Sequence, residues 1–289
     1  MTRDTGGYMI GERRFSKTNG MFFKTDDDAY IYYQDVGEGD PVVFLHGWSC
    51  TSNFWKKNIE RLSEEFRVIT IDFRGHGASS KVLHGHIIPR YAKDIKQLFE
   101  YLNLKRITLV GWSMAVTVVL SYYERYSGDN RLKSIGLIDG TPAPFLDEEW
   151  NYHRMKKNGG DVGKMNKEII DYVDNPRLFA AGKSLGWLKE GTKEDIEWIT
   201  NEVLKTPPWI SYAIFTDFLH RNYTSVLKSI ELPVIVFCPE SQPDRYLTGK
   251  YISDSVSKGK LVEIDSGHLP FYEKPEEFND ELISFIKSI

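Results

Sequence analysis

Val42–Leu45 is a strand-length run without a polar residue. A strand that is apolar on both faces has to be covered on both, which places it centrally in a parallel sheet. Arg67–Ile71 and Ile107–Val110 read as further buried strands, rich in β-branched residues, and Leu132–Ile138 as another. Between them run amphipathic stretches. Trp55, Ile59, Leu62 and Phe66 recur at helical spacing behind Thr51 or Ser52 as cap, and Tyr91, Ile95, Leu98 and Leu102 do so again. Strands alternating with helices predict an α/β fold, a doubly wound, mostly parallel sheet with right-handed crossovers. Met21–Thr25 and Tyr30–Tyr33 precede it as an antiparallel pair around Asp26–Asp28, and residues 1–19, with glycines and mixed charges, read as a loosely ordered extension.

The alternation stops after Asp139-Gly-Thr-Pro142. From 144 to 227 no strand is predicted, only helical stretches, clearest over Lys193–Lys205 and Pro208–His220. This segment holds Trp150, Trp187, Trp198 and Trp209 and reads as a helical cap inserted into a core formed by 20–143 and 228–289. Strands resume at Pro233–Cys238 and Lys260–Ile264, and a closing helix from Pro275 carries Phe278, Leu282, Phe285 and Ile289 on one face.

A net charge of −4 with scattered basic residues points away from nucleic acid and from anionic membrane surfaces. No signal peptide or membrane-spanning run is visible, and two cysteines, Cys50 and Cys238, are too few for a disulfide scaffold, so a cytoplasmic setting is expected.

Chemistry gathers at the strand ends, where a doubly wound sheet binds its ligands. Gly111-Trp-Ser-Met-Ala115 lies between a buried strand and a glycine-free apolar helix. A serine on such a turn holds its hydroxyl clear of the backbone, and the Met114 amide points the same way at the positive end of the helix. His268 follows the last strand, within reach as a general base. His46-Gly47, Asp139 and the Pro239–Asp244 loop lie at further strand ends. Asp72, Arg74 and Gly75 read as a turn stapled by a buried ion pair, His84-Gly-His86 as a surface loop rather than a metal pair, and Cys238 as a small core hydrophobe.

From about Met21 to Ile289 the chain resembles the α/β-hydrolase superfamily. The likeness is carried by His46-Gly47, by Asp72, Arg74, Gly75, Gly77 and Ser79, by Gly111-x-Ser113, and by Gly267-His268 with Pro270. The wording around Trp48 and Trp112 is similar to small-molecule carboxylesterases, pimeloyl-ester esterase-like and non-haem haloperoxidase-like members included. The resemblance implies Ser113 as nucleophile, His268 as base, and the Met114 and Trp48 amides as oxyanion donors, with no cofactor. It departs at the acid: the family's usual position falls on Gln242, which carries no charge. Asp139, at the site some members use, is the favoured acid, with Glu240 second and Asp244 also in reach. Ala115-Val116 stands where many relatives have Gly-Gly, so Val116 is expected either to narrow the acyl pocket or to strain the turn. The expected function is hydrolysis of a small carboxylic ester, thioester or lactone through an acyl-serine, the aromatic cap favouring an apolar or aromatic substrate. Cofactor-free perhydrolysis, C–C hydrolysis or a lyase reaction, and a ligand-binding protein with little turnover, are the rival readings.

Overall fold

The computed structural model describes residues 9–10, 13–14, 20–152, 167, 170–240 and 242–289. Most of the expected extension lies outside these, and Met9–Ile10 pairs there with Arg13–Arg14 in a two-residue antiparallel ribbon. An eight-stranded sheet forms the body. In chain order its strands are β1 (Met21–Lys24), β2 (Tyr30–Val36), β3 (Pro41–Leu45) and β4 (Arg67–Ile71), followed by β5 (Ile107–Trp112), β6 (Leu132–Ile138), β7 (Val234–Pro239) and β8 (Gly259–Ile264). Their spatial order is β8-β7-β6-β5-β3-β4-β2-β1. β1–β2 and β2–β4 pair antiparallel, and every other neighbour pairs parallel.

The central strands behave as their composition demands. All five residues of β3 and all six of β5 are buried, so one face packs into a core with α2 (Ile88–Tyr101) and α3 (Ala115–Tyr126) and the other into a second core with the closing helix, Pro275–Lys287. The chain order jumps at β5, which lies beside β3 with β4 on the far side. That reversal opens the crevice in which ligands settle on such sheets.

The helix expected through Trp55 and Phe66 is divided. A 3-10 turn, Ser52–Trp55, is capped by Thr51, whose hydroxyl accepts the Asn53 amide at 3.3 Å, and α1 covers only Ile59–Ser63. The break falls at Asn58, whose side-chain amide donates to the Phe271 carbonyl and to Asn279 Oδ1. Trp55, Leu62 and Phe66 nevertheless stay buried, so the apolar spacing located the face but not the interruption.

The staple also differs from expectation. Arg74 pairs with Asp94 and Asp27, while Asp72 accepts the amides of Ser52 and Ala78. One guanidinium ties the loop after β4 to α2 and to the β1–β2 turn, and the Asp72 carboxylate organises the loop itself. Of the two loop histidines, exposed His84 faces Asp27 while His86 turns inward and bonds the Val82 carbonyl at 2.7 Å.

Between β6 and β7 the described residues form no strand. They form α4 (Pro176–Trp187), α5 (Lys193–Val203), α6 (Pro208–Leu219) and the short α7 (Thr224–Leu227). α5 starts on a capping box between Thr192 and Asp195. The segment is held to the core at polar points: Trp48 Nε1 donates to the Ser211 carbonyl at 2.7 Å, and Thr51 Oγ1 donates to the buried Glu202 carboxylate at 2.5 Å. After β7 come α8 (Pro243–Ser255), and after β8 the single turn α9 (Pro270–Glu273) and α10 (Pro275–Lys287). No helix among the described residues is long and apolar enough to cross a membrane.

Candidate active site

β5 ends at Trp112 and α3 begins at Ala115, leaving Ser113 and Met114 to make the corner. Ser113 has φ 58°, left-handed backbone that a non-glycine residue rarely adopts. Its amide is anchored to the Ile138 carbonyl at 2.8 Å. The cost of such a conformation, about 1–3 kcal/mol, is met by rigid surroundings. A Cβ on Gly111 would lie 2.7 Å from the Ala115 carbonyl oxygen, so only glycine lets helix and strand approach this closely. Met114 is the N-cap of α3, and its amide belongs to the first turn of donors that no helix satisfies internally.

Val116 is not among the residues that line the cavity over Ser113. It is buried against Gly140, where a Cβ would lie 2.5 Å from Val116 Cγ2 and 2.4 Å from the Ser113 carbonyl oxygen. The Val116 side chain packs where Gly140, just beyond β6, carries no Cβ.

β6 runs directly into Asp139, a second left-handed residue (φ 39°), whose amide donates to the Phe237 carbonyl of β7 at 2.8 Å. This bend turns the carboxylate toward the loop after β8. There His268 Nδ1 lies 2.5 Å from Asp139 Oδ2, and His268 Nε2 lies 2.9 Å from Ser113 Oγ. The three side chains expected to act together are thus brought into one hydrogen-bonded chain. Glu240 is not part of it. It is exposed in the turn after β7, held by its amide to the Ile264 carbonyl at 3.0 Å. Asp244 is exposed in the first turn of α8, and Gln242 caps that helix without a side-chain bond to it. The reason is positional: β7 continues one residue beyond Cys238 before turning, and the following carboxylates leave the sheet edge on the solvent side.

His268 is held through its backbone from two directions. Its amide donates to the Trp187 carbonyl of α4 at 2.6 Å, and its own carbonyl accepts Trp112 Nε1 at 2.8 Å. Gly267 permits the first contact, since a Cβ there would lie 2.4 Å from the Trp187 carbonyl oxygen. The end of α4 and the loop carrying His268 therefore fit as one unit.

Sequence reasoning missed Arg245. Its Nη1 donates to Asp139 Oδ2 at 2.5 Å and its guanidinium lies 4.6 Å from the centre of the Tyr152 ring. The only available signal was a demand: a buried carboxylate calls for a counter-charge, and Arg245 is the nearest cation following the strand beside it. Burial on its own pushes the Asp139 carboxyl up, but the Arg245 charge and the His268 ring outweigh it and hold it below the usual range. Burial lowers the affinity of His268 for its second proton; Asp139 opposes this and Arg245 adds to it, with a net fall. At neutral pH the pair is an ionised carboxylate beside a neutral imidazole, the state in which a ring nitrogen can accept a proton.

Trp48, half-buried after Gly47, Trp187, Phe215, Phe218, Tyr152 and Lys183 line the cavity above Ser113, with Trp112, Met114, Arg245 and His268. Two of the aromatic residues singled out in the helical segment are used elsewhere: Trp198 stacks on Tyr272 and Trp150 on Tyr251. Both cysteines are free and buried, and burial pushes the Cys238 thiol up to about 12, leaving it without nucleophilic character near neutrality. No group of three or more His, Cys, Asp or Glu side chains among the described residues is arranged to hold a metal ion.

Residues 40–275 match the model of the alpha/beta hydrolase fold family. The chain is 29% identical to the bifunctional esterase/perhydrolase of Acinetobacter calcoaceticus, covering 92% of this chain and 99% of that one. It is 34% identical to the non-heme chloroperoxidase CPO-A1 of Kitasatospora aureofaciens, covering 91% and 98%. An esterase from Exiguobacterium antarcticum superposes with a TM-score of 0.85 over 93% of this chain and 99% of its own, at 23% identity, a likeness of fold. With the sheet order, the corner at Ser113 and these matches together, the chain belongs to the α/β hydrolase fold family.

Proposed function

We propose that this protein is a serine hydrolase that cleaves a small carboxylic ester, thioester or lactone. The observation that carries the reading is the Ser113–His268–Asp139 chain, 2.9 Å and 2.5 Å, built on a strained corner at the head of α3. In this reading Ser113 Oγ attacks the carbonyl carbon while its proton passes to His268 Nε2, and Asp139 stabilises the imidazolium. The Met114 and Trp48 amides hold the oxyanion. The alcohol leaves with the proton from His268. Water then attacks the acyl-serine, giving its proton to the same nitrogen, which returns a proton to Ser113 Oγ as the ester bond to serine breaks and the acid is released. The aromatic lining from Trp48, Trp187, Phe215 and Phe218 suits an apolar or aromatic acyl group bound largely by contact area, with α4 and α6 supplying the cap side of that lining.

Hydrolysis of p-nitrophenyl acetate and butyrate tests this. The parent turns both over, and Ser113→Ala falls to the background rate; equal rates for the two proteins would refute it. A second reading, perhydrolysis, is favoured by the naming of the Acinetobacter relative as an esterase/perhydrolase. The same acyl-serine attacked by hydrogen peroxide yields a peracid in place of the acid, and peracid formation in the presence of peroxide, lost in Ser113→Ala, distinguishes it.

A further inference from the structure

The turn after β7 leads into α8, and the first turn of that helix delivers a cation to the reacting groups. Arg245 Nη1 lies 2.5 Å from Asp139 Oδ2 and 2.8 Å from His268 Nδ1, while that nitrogen lies 2.5 Å from the same carboxylate oxygen. The three atoms close a triangle. An imidazole nitrogen carries either a proton or a lone pair, so Nδ1 satisfies one of its two neighbours at a time. With its proton on Nδ1, the ring donates to Asp139 and leaves Nε2 free to accept from Ser113. With its lone pair on Nδ1, the ring accepts from Arg245, and Nε2–H donates to the Ser113 oxygen and cannot take its proton.

We propose that Arg245 is a positioning residue that sets the protonation and tautomer of His268, keeping Asp139 charged while competing with it for Nδ1. Two further observations fit this role better than that of a simple counter-ion. Arg245 lines the same cavity as Ser113 and lies over the Tyr152 ring, so it is held at the reacting groups, not merely near them. Asp139 Oδ1 is buried with no hydrogen-bond partner among the described residues, so Oδ2 alone receives both donors. The other charged groups around the cavity have partners or positions of their own. Glu273 accepts the Gly267 amide, Lys189 pairs with Asp265, and Lys183 lines the cavity on α4. The direction of the effect follows: a cation beside Nδ1 opposes formation of the imidazolium, in agreement with the downward pull of Arg245 on His268.

The experiment is ¹⁵N NMR of the His268 imidazole in the full chain, assigned by its loss in His268→Gln, across a pH titration. Removing the cation in Arg245→Met raises the His268 midpoint by about one unit and leaves Nδ1 as the protonated nitrogen throughout the neutral range. Arg245→Lys, which keeps the charge, titrates near the parent. The same midpoint and tautomer in parent and Arg245→Met overturn the proposal. If Arg245→Met does not fold, Arg245→Gln takes its place with the same readouts. The inference rests on the serine-hydrolase reading only for its kinetic counterpart, an upward move of the acid limb of kcat/KM. A parent without esterase activity would fail that reading while the NMR result still decides the role of Arg245.

Discussion

The ends of β6 and β7 lie side by side on the sheet and face the same histidine loop, yet they carry opposite chemistry. β6 ends in Asp139, buried and bent by left-handed backbone toward His268. β7 ends in a turn that sends Glu240 to solvent and then returns a cation, Arg245, from the next helix. In the resemblance read from the sequence, the acid usually follows the strand matching β7; in this chain that position is Gln242, the N-cap of α8. A carboxylate serves an imidazole where the backbone aims it and where burial denies it water, not wherever the loop is closest. In this chain the carboxylate that reaches His268 comes from the end of β6, and the helix after β7 supplies the cation that helps keep it ionised.

Removing the proposed acid should break this comparison most sharply. Asp139→Asn is expected to lower kcat by about 10⁴-fold, because the ring loses the partner that fixes its productive tautomer and stabilises its charge. Glu240→Gln should leave turnover near the parent level, since no bond joins Glu240 to His268. Steady-state kinetics on one p-nitrophenyl ester, below the melting temperature of each variant, compare them. A large loss in Glu240→Gln with little in Asp139→Asn would reverse the assignment.

The parts of this arrangement legible in the sequence were those with a local signal. Unbroken apolar runs located the parallel strands, and Gly111-x-Ser113 and Gly267-His268 picked out the proposed nucleophile and base because each is tied to a specific turn. Asp139 was one of several carboxylates at strand ends, and no local pattern ranks buried against exposed acids within a few residues of one another. Arg245 had still less to show: a charged residue in the first turn of a helix reads as solvated until the partner it neutralises is known. The same limit misassigned the partner of Arg74, which bonds Asp27 and Asp94 across long sequence separations instead of its neighbour Asp72. Val116 illustrates the reverse limit. Its bulk was visible, but the glycine it packs against, Gly140, follows another strand.

That glycine pairing gives the next effect in size, and it compares the strand-end side of the site with the histidine-loop side. Gly140→Ala places a methyl 2.4 Å from the Ser113 carbonyl oxygen and 2.5 Å from Val116 Cγ2, both fixed within the core. A cost of about 1–3 kcal/mol is expected, with the Ser113 corner displaced and activity falling with it. Gly267→Ala meets the Trp187 carbonyl oxygen at 2.4 Å and the Lys189 amide nitrogen at 2.6 Å, backbone at the end of α4 outside the central sheet. Its stability loss should be the smaller of the two. Chemical denaturation midpoints order them, and a larger loss at Gly267 would make the helical segment the more rigid wall of the site.

The pH dependence of activity is a gentler probe. His268 is held below its ordinary value, first by burial, so it stays an unprotonated base down to mildly acidic pH. kcat/KM should therefore be level through neutrality and fall on an acid limb whose midpoint lies below 6.5. A midpoint above 6.5 in the parent would show that Asp139, not burial and Arg245, dominates the ring.

Stability in mild acid reports on buried histidines beyond His268, whose pKa is lowered by the same first cause. His46 is held down to about 4 by burial, against the pull of Asp72, and His76 lies well below its ordinary range for the same first reason. The His76 ring bonds the Arg74 carbonyl through Nδ1, while its Nε2 is buried without a partner among the described residues, so no acceptor waits for a second proton. A histidine kept neutral in the fold binds its proton only after unfolding. Unfolding then takes up protons, and stability falls as pH drops below the unfolded value near 6.5. For His46 the fall continues to about 4 and amounts to something on the order of 3 kcal/mol. Paired carboxylates such as Asp26, held at about 2, lose their contribution only at lower pH, so the interval from 6.5 to 4 belongs to the histidines. Urea unfolding at several pH values across that interval should show stability declining with a slope of at least two protons taken up per molecule. A flat profile would mean that His46 and His76 take up protons within the folded core, and that the loops carrying them open to water more readily than their complete burial implies.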